Sequence, residues 1–282
     1  MYHLSAQNER GETFQLTGNP AYDILDIVGT NPPVAAINRS KIAGVDGSKM
    51  NSAIADDRNI VITLDIKQPC EENRIRLYDF FRIKQKVRLL YRNKHRNCYI
   101  DGYIESIENN PFTQLQQPQI SVICPQPYWL AAEETSVIFS SSTALFEFPF
   151  SIPSEGIEFS TVLHITEAVI NAGDIKTGGI ITFRAIADHV INPKFYNLTT
   201  NKFIGVDVDM MEGDLITINT MQGEKSIKMV RGTTVTNMLS SMTSGSTWLQ
   251  FEPGDNSISF DAYTGAEKLV VDVSLVKKYQ GV

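Results

Sequence analysis

Histidine and cysteine are the side chains whose spacing most often reveals metal or catalytic chemistry, and neither type is arranged for it here. The four histidines form no H-x-x-x-H pair and no cluster with cysteine. They are His3, His95, His164 and His189. Cys70, Cys98 and Cys124 lack C-x-x-C spacing. We therefore expect buried free thiols, no metal, no cofactor and no thiol nucleophile.

Three other catalytic patterns are absent, in the wrong order or without a known geometry. No G-x-S-x-G elbow occurs, and residues 176–179 (Lys-Thr-Gly-Gly) have the wrong order for a phosphate loop. Acidic pairs such as Glu133 with Glu134, or Asp207 with Asp209, could serve a glycosidase only if they flanked a cleft. Solvated surface is the simpler interpretation, so the chain is predicted not to be an enzyme.

One group of residues has the chemistry for binding a sugar. Trp248, Tyr196 and Asn197 could hold a sugar on a β-sheet, with a ring stacked on its face and an amide bonded to its hydroxyls. The alternative is that Trp248 fills a sandwich core, which its neighbours Leu249 and Phe251 favour. We prefer this second interpretation.

Basic side chains are dense between Arg74 and Arg96, where nine of the chain's 25 lysines and arginines lie. Such a stretch could contact phosphates. It could also be a solvated strand face or a subunit contact, which we favour because aromatic rings for base stacking are not regularly interleaved. The predicted subunit-interface residues are Lys84, Lys86, Arg88 and Arg92.

The charge balance changes along the chain. Residues 1–132 carry 15 basic and 14 acidic side chains, whereas residues 133–282 carry 10 and 18. The second half, with a net charge of −8, therefore has no general affinity for nucleic acid or an anionic membrane. No apolar run approaches the roughly 18 residues of a membrane span, and we expect no signal peptide.

The alternation of apolar residues predicts a mainly β protein. In the first half it is clearest at residues 59–66. Further strands are expected at 12–16, 21–27, 84–92, 99–107 and 119–124. Residues 71–81 form the one convincing helix, opened by Glu71 and Glu72. The small and polar residues 42–58 are predicted to form a loop.

In the second half, strands recur about every ten residues with turn signals between them, which is typical of an all-β sandwich or jelly roll. The expected strands are 136–139, 145–150, 159–170, 180–186, 204–209, 213–220, 248–251, 257–262 and 269–275. Pro125 and Pro127 stop the strand before them, since each fixes φ and lacks a donor. We therefore divide the chain into domains at 1–132 and 133–282.

Several motifs occur in a set order along the chain. In residues 1–132 they are Gly-Val-Asp-Gly (44–47), the alternating strand, the aromatic-rich helix, the basic strand, Tyr-Ile-Asp-Gly-Tyr-Ile-Glu (99–105) and Ser-Val-Ile-Cys-Pro-Gln-Pro-Tyr-Trp (121–129). In residues 133–282 they are Asn-x-Gly-Asp (171–174), Ile-x-Asn-Pro to Asn-x-Thr-Thr (191–200), Gly-Asp-x-Ile-x-Ile (213–218) and Trp-Leu-x-Phe-x-Pro-Gly-Asp-Asn (248–256). Together they resemble the distal tail protein (Dit) family of siphophages, the long-tailed, non-contractile bacteriophages.

This resemblance implies an N-terminal β-sandwich with one helix that forms a hexameric ring, followed by a galectin-like β-sandwich. The implied function is structural: a hub at the virion tail tip, made in the bacterial cytoplasm, that joins the tail tube to the adsorption apparatus or baseplate. The expected partners are copies of the chain itself, the tail tube protein and tail-associated or receptor-binding proteins. Nucleic acid would only pass through a central channel, and no membrane is involved.

Two alternatives stay open at this point. Residues 133–282 could be a carbohydrate-binding module that contacts the host cell wall. A phage-like particle or prophage could also use the same part, which the sequence does not distinguish from a virion component.

Overall fold

The computed structural model describes residues 2–140 and 167–282. The first elements along the chain are β1 (His3–Asn8), β2 (Thr13–Gln15), β3 (Tyr22–Val28), β4 (Ala35–Ser40), β5 (Lys49–Ala55), β6 (Arg58–Ile66), α1 (Cys70–Phe80), β7 (Lys86–Arg92), β8 (Asn97–Glu108), β9 (Gln119–Cys124), β10 (Trp129–Ala131) and β11 (Thr135–Ser140). They are followed by β12 (Glu167–Asn171), β13 (Gly179–Ala185), β14 (Val190–Ile191), β15 (Lys194–Asn197), β16 (Lys202–Gly205), β17 (Asp209–Met210), β18 (Leu215–Asn219), β19 (Ser226–Arg231), β20 (Thr234–Asn237), β21 (Gly254–Asp261), β22 (Leu269–Leu275) and β23 (Lys278–Tyr279). Two short 3₁₀ turns, Leu239–Ser241 and Ala266–Lys268, complete the set.

The chain divides into two compact units. Unit 1 comprises Met1–Glu133 together with Lys278–Val282, and unit 2 comprises Glu134–Lys277. The chain therefore leaves unit 1 and comes back to it for β23. We call Lys278–Val282 the return segment. Strand β23 is only two residues long, which is too short to show an alternation of apolar residues. The sequence therefore did not predict this return.

A nine-stranded antiparallel sheet makes up most of unit 1. Its main path is β2-β1-β7-β8-β9-β6-β3, and β10 pairs with both β8 and β23. Alternation buries one face of the sheet: Ile60, Ile62 and Leu64 of β6 are buried, whereas the residues between them are partly exposed. The rings of Phe14 on β2 and Tyr22 on β3 lie 5.1 Å apart, so the two edge strands approach each other around the core.

Helix α1 contributes aromatic and aliphatic side chains to that core. Leu77 in the helix and Phe81 directly after it are buried. The ring centroid of Phe81 lies 5.4 Å from that of Phe14. The helix prediction is confirmed to within one residue at each end. Tyr78, next to Leu77, points about 100° away from it around the helix axis. It is exposed and accepts a hydrogen bond from Asn109. None of the helices in residues 2–140 and 167–282 is long and apolar enough to cross a membrane.

Strands β4 and β5 form a separate two-stranded hairpin between β3 and β6. We call residues 34–56 the arm. The loop prediction for residues 42–58 is wrong over Lys49–Ala55, which pairs with Ala35–Ser40. Almost every residue of these two strands is exposed, so the hairpin has no buried face to impose the alternation of a half-buried strand.

Unit 2 is a β-sandwich with a single core. One sheet has the order β11-β22-β13-β18-β19-β20 and the other has the order β12-β21-β15-β16. Buried residues of both sheets contact one another in one cluster that includes Phe183, Ile216, Val271, Phe195 and Ile258. The prediction of a mainly β protein is therefore confirmed. The finer likeness to galectins stays a prediction.

The strand predictions for the second half have different outcomes. Predicted strand 145–150 and the first part of 159–170 lie outside the described residues, and β12 covers the remainder. Residues 248–251 form no strand. Instead Phe251 exchanges two backbone hydrogen bonds with Thr177, at 3.1 and 2.8 Å, as an isolated bridge.

Candidate functional site

The basic strand predicted as a subunit contact lies in the middle of the unit 1 sheet, as β7. Arg88 is directly opposite Asp101 on β8 and donates hydrogen bonds of 2.7 and 3.0 Å to its two carboxylate oxygens. The Lys86 ammonium lies 3.1 Å from the same carboxylate. The Arg88 guanidinium also covers the Tyr99 ring at 4.0 Å. These two basic side chains are therefore paired within the chain and do not form a free cationic patch.

The structure places the other two predicted interface residues at opposite ends of this region. Lys84 precedes β7 with a positive φ of 68°, and its backbone N–H donates to Ile104. Arg92 ends β7, opposite Asn97 and His3 on the flanking strands, and is exposed. A role for any of the four in a subunit contact stays a prediction.

The arm exposes apolar surface that no sequence pattern predicted as a site. Six large apolar side chains on it are more than half exposed to solvent: Val34, Ile37, Ile42, Val45, Met50 and Ile54. Val34 is 79% exposed and Met50 is 64% exposed. The paired runs Ala-Ala-Ile (35–37) and Ala-Ile-Ala (53–55) were the available signal, hidden by the polar residues between them.

The register of the arm separates its apolar and polar side chains. Ile37 lies opposite Ala53, and Arg39, two residues on and thus on the same face, lies opposite Met50. This apolar face also carries Ala35 and Ala55. The opposite face carries Asn38 opposite Ser52 and Ser40 opposite Lys49, with Ile54 as its one large apolar residue. The arm is thus amphipathic, and both faces are exposed.

Of the three sugar candidates, Asn197 is unavailable to a ligand. Its side chain is buried, donating to the Gln250 carbonyl at 3.1 Å and accepting from the Thr200 N–H at 3.1 Å. A sugar would have to displace these internal hydrogen bonds, so this part of the prediction is corrected. Trp248 and Tyr196 are partly buried and remain candidates by position alone.

The two aromatic candidates already have partners within unit 2. Trp248 packs against the core, and the Lys225 ammonium lies 5.6 Å from the centroid of its ring. The Tyr196 ring lies 5.8 Å from the Phe203 ring across β15 and β16. Burial raises the pKa of Tyr196, and nearby Asp261 adds to that shift.

Asn197 belongs to a set of three buried asparagines that hold one segment. Asn197, Asn171 and Asn256 donate to three successive carbonyls, those of residues 250, 251 and 252, at 3.1, 3.0 and 2.8 Å. Each asparagine comes from one of the sequence motifs of the second half. Three of the four motifs of the second half thus meet in space around residues 250–252, where they have a structural function.

The chemistry that the histidines and cysteines could support is not assembled in the described part of the chain. No group of three or more His, Cys, Asp or Glu side chains there is placed to hold a metal ion. All three cysteines are free thiols. Burial raises the pKa of both Cys98 and Cys124 to about 12, with nearby Arg96 and Arg58 respectively opposing the shift, so neither is a nucleophile at neutral pH.

The whole chain has the fold of a phage adsorption-hub protein and of a chain in a phage baseplate. It matches the crystal structure of the SPP1 Dit (gp 19.1) protein, described as a paradigm of hub adsorption apparatus in Gram-positive-infecting phages, with a TM-score of 0.70 and 12% identity over 98% of both chains. It also matches a chain of the activated phage P2 baseplate with Ca, with a TM-score of 0.56 and 12% identity over 100% of both chains. The same baseplate with Sr gives a TM-score of 0.55 at 11% identity, again over 100% of both chains.

Much of unit 2 also matches a known family by its sequence. Residues 172–275 match the family described as siphovirus-type tail component, C-terminal domain. This stretch is thus similar to a tail-component domain, and the resemblance drawn from the ordered motifs is confirmed. A search of curated proteins gives no significant match.

Proposed function

We propose that this protein is a structural hub of a siphophage tail tip and assembles into a hexameric ring through unit 1. The tail-component match of residues 172–275 and the fold of the whole chain support the tail-tip role. The apolar side chains exposed on the arm are the observation that supports self-association. The protein would act by holding other parts together, without catalysis.

The physical reason lies in what the arm lacks. A two-stranded hairpin alone is marginally stable in water, and it gains stability when an apolar face packs against another surface. The arm leaves Ile37 and Met50 on one exposed face. Exposed apolar surface of this kind marks an interaction site on a soluble protein. A second copy of the chain is the partner that is always available when the chain is made.

The arm sets the symmetry of such an assembly. If the exposed hairpin docks on a different surface of the next copy without reciprocal exchange, the contact is head-to-tail, and repeating it closes a ring when the rotation allows. The acidic second half, with its net charge of −8, disfavours contacts between like surfaces of unit 2. The tail tube protein and the tail-associated or receptor-binding proteins would then bind the remaining surfaces of the ring.

The rival function is a carbohydrate-binding module that contacts the host cell wall. One of its three candidate sugar-binding residues is not available. Asn197 is buried, and its amide is bonded within the chain. Trp248 packs against the core of unit 2. The arm, in contrast, has apolar surface and no partner within its own unit's core cluster.

Self-association can be tested with matched variants of the two arm faces. Ile37→Thr combined with Met50→Thr removes apolar contact while keeping a good strand former at position 37. Asn38→Thr combined with Ser52→Thr is the control, since it places the same two threonines on the opposite face. Light scattering after size exclusion gives the mass, and negative-stain images give the symmetry.

We expect the wild-type chain and the control to form a six-fold ring with a central channel, and the apolar-face variant to be monomeric. A wild-type chain that stays monomeric at all concentrations would overturn the ring. Assembly of the apolar-face variant with wild-type affinity would overturn the role of the arm. Antibody labelling of intact particles then tests the location, which should be the tail tip.

A further inference from the structure

Arg58 lies at the root of the arm, where the chain re-enters the sheet as the first residue of β6. Its side chain is only 4% exposed. The guanidinium donates to the carbonyls of Gly29 and Thr30 at 3.1 and 3.4 Å, and to the carbonyl of Gln280 at 2.5 Å. One side chain thus ties both ends of the arm's root to the return segment.

Backbone contacts make a second connection between the same two segments. The Val282 N–H donates to the Thr30 carbonyl at 3.2 Å. Gly281 packs so closely that an added Cβ would lie 2.9 Å from the Thr30 oxygen and 3.1 Å from the Pro32 nitrogen. Because these are backbone atoms, a side chain at position 281 would push the arm's root away.

The return segment is itself fixed to the sheet. β23 pairs with β10, with Tyr279 opposite Trp129. Arg96 donates to the Gly281 carbonyl and covers the Tyr279 ring at 4.6 Å. The arm's root is therefore bonded to a segment that is itself paired, through β10, with the unit 1 sheet.

Burying the Arg58 guanidinium costs more stability than an apolar side chain would at the same position. Its partners are carbonyl oxygens, its Nε has no hydrogen-bond partner among the described residues, and burial lowers the pKa of the guanidinium. A buried charge without an opposite charge is destabilising compared with a well-packed apolar side chain. Arg, however, can bridge three carbonyls at once with a rigid planar group, which an apolar side chain cannot do.

We propose that Arg58 and Gly281 are positioning residues that lock the arm's root to the return segment and so hold the arm ready for docking on a second copy of the chain. This proposal rests on the proposed self-association through the arm. A preorganised arm loses less conformational freedom on docking and therefore binds more tightly. The lock acts at a distance from the docking face, since neither residue lies on the arm.

Two variants disturb the lock from opposite sides. Arg58→Gln shortens the bridge and removes the charge. Gly281→Ala leaves the charge and the core unchanged and only presses on residues 30–32. Arg82→Gln is the control for charge, because Arg82 is exposed and, within the described part of the chain, its guanidinium bonds to Asp79, three residues away. Near-ultraviolet circular dichroism establishes that each variant is folded.

Two measurements test the proposal. Hydrogen exchange in the monomeric background Ile37→Thr with Met50→Thr should accelerate at residues 29–31, which precede two prolines without an N–H, and at residues 278–282. We expect this in both lock variants and not in Arg82→Gln. The self-association constant of the otherwise wild-type chain should weaken at least tenfold in both lock variants. Folded lock variants that assemble as tightly as wild type would overturn the proposal, as would unchanged exchange at the root.

Failure of this proposal can be told apart from failure of the proposed function. If the apolar-face variant assembles normally, the arm is not the docking element and the proposed function fails, whatever the lock variants do. If that variant is monomeric while folded Gly281→Ala assembles normally, docking through the arm stands and the lock is wrong. Should Arg58→Gln not fold, Gly281→Ala alone decides.

Discussion

Arg88 and Asp101 face each other across β7 and β8, and the guanidinium bonds both carboxylate oxygens at 2.7 and 3.0 Å. Lys86 adds an ammonium 3.1 Å from the same carboxylate. One acidic side chain therefore compensates two of the basic residues that made this strand look like a phosphate-contacting patch. The compensation depends on cross-strand register, which sequence alone does not give.

Removing the negative charge of Asp101 should leave the basic side chains of β7 without their ionic partner. In Asp101→Asn, we expect Arg88 and Lys86 to become free to contact polyanions, so the variant should elute from a heparin column at higher salt than wild type. Asp79→Asn is the control, since it makes the same change of charge at an exposed position with one long contact, 3.9 Å, to Arg82. Equal elution of the two variants would contradict the prediction.

The same pair should make stability depend on pH in the acid range. Burial of Asp101 would raise its pKa, but hydrogen bonds from Arg88 and Lys86 outweigh burial and hold the pKa below its ordinary value. A carboxyl group with a lowered pKa stabilises the fold above its unfolded pKa, about 3.9, and this stabilisation is lost as pH falls through the folded value. Urea unfolding of wild type and Asp101→Asn should therefore differ above about pH 4, and the difference should shrink below it. A difference in the free energy of unfolding that does not change with pH would contradict this prediction.

Sugar binding is expected to be absent on a glycan array probed with the full chain. The reason is that Asn197 is bonded within the interior, while Trp248 contacts the core and Lys225. An aromatic ring must offer an open face for a sugar to stack on it. A specific glycan signal that is lost in Trp248→Phe or Tyr196→Ala would contradict this prediction and revive the carbohydrate-binding alternative.

Local patterns predicted the elements that bury one face, and they failed where a segment has no buried face. The strand Arg58–Ile66 and the helix Cys70–Phe80 were found because burial imposes a period on their apolar residues. The arm escaped notice because neither of its faces is covered within the chain. The return segment and the Arg88–Asp101 pair depend on contacts between distant residues, which no local pattern records.

The motif asparagines illustrate the same limit, and they give the sharpest test of stability. Asn256 is fully buried, accepts from the Glu252 N–H at 2.9 Å and donates to the carbonyls of Glu252 and Gly254 at 2.8 and 3.1 Å. In Asn256→Ala these buried groups lose their partner, so the free energy of unfolding should fall by about 3 kcal/mol. Asn237→Ala, at an exposed position on β20, should cost much less. Denaturant unfolding measures both, and equal losses would show that residues 250–252 are held by the surrounding core rather than by the asparagines.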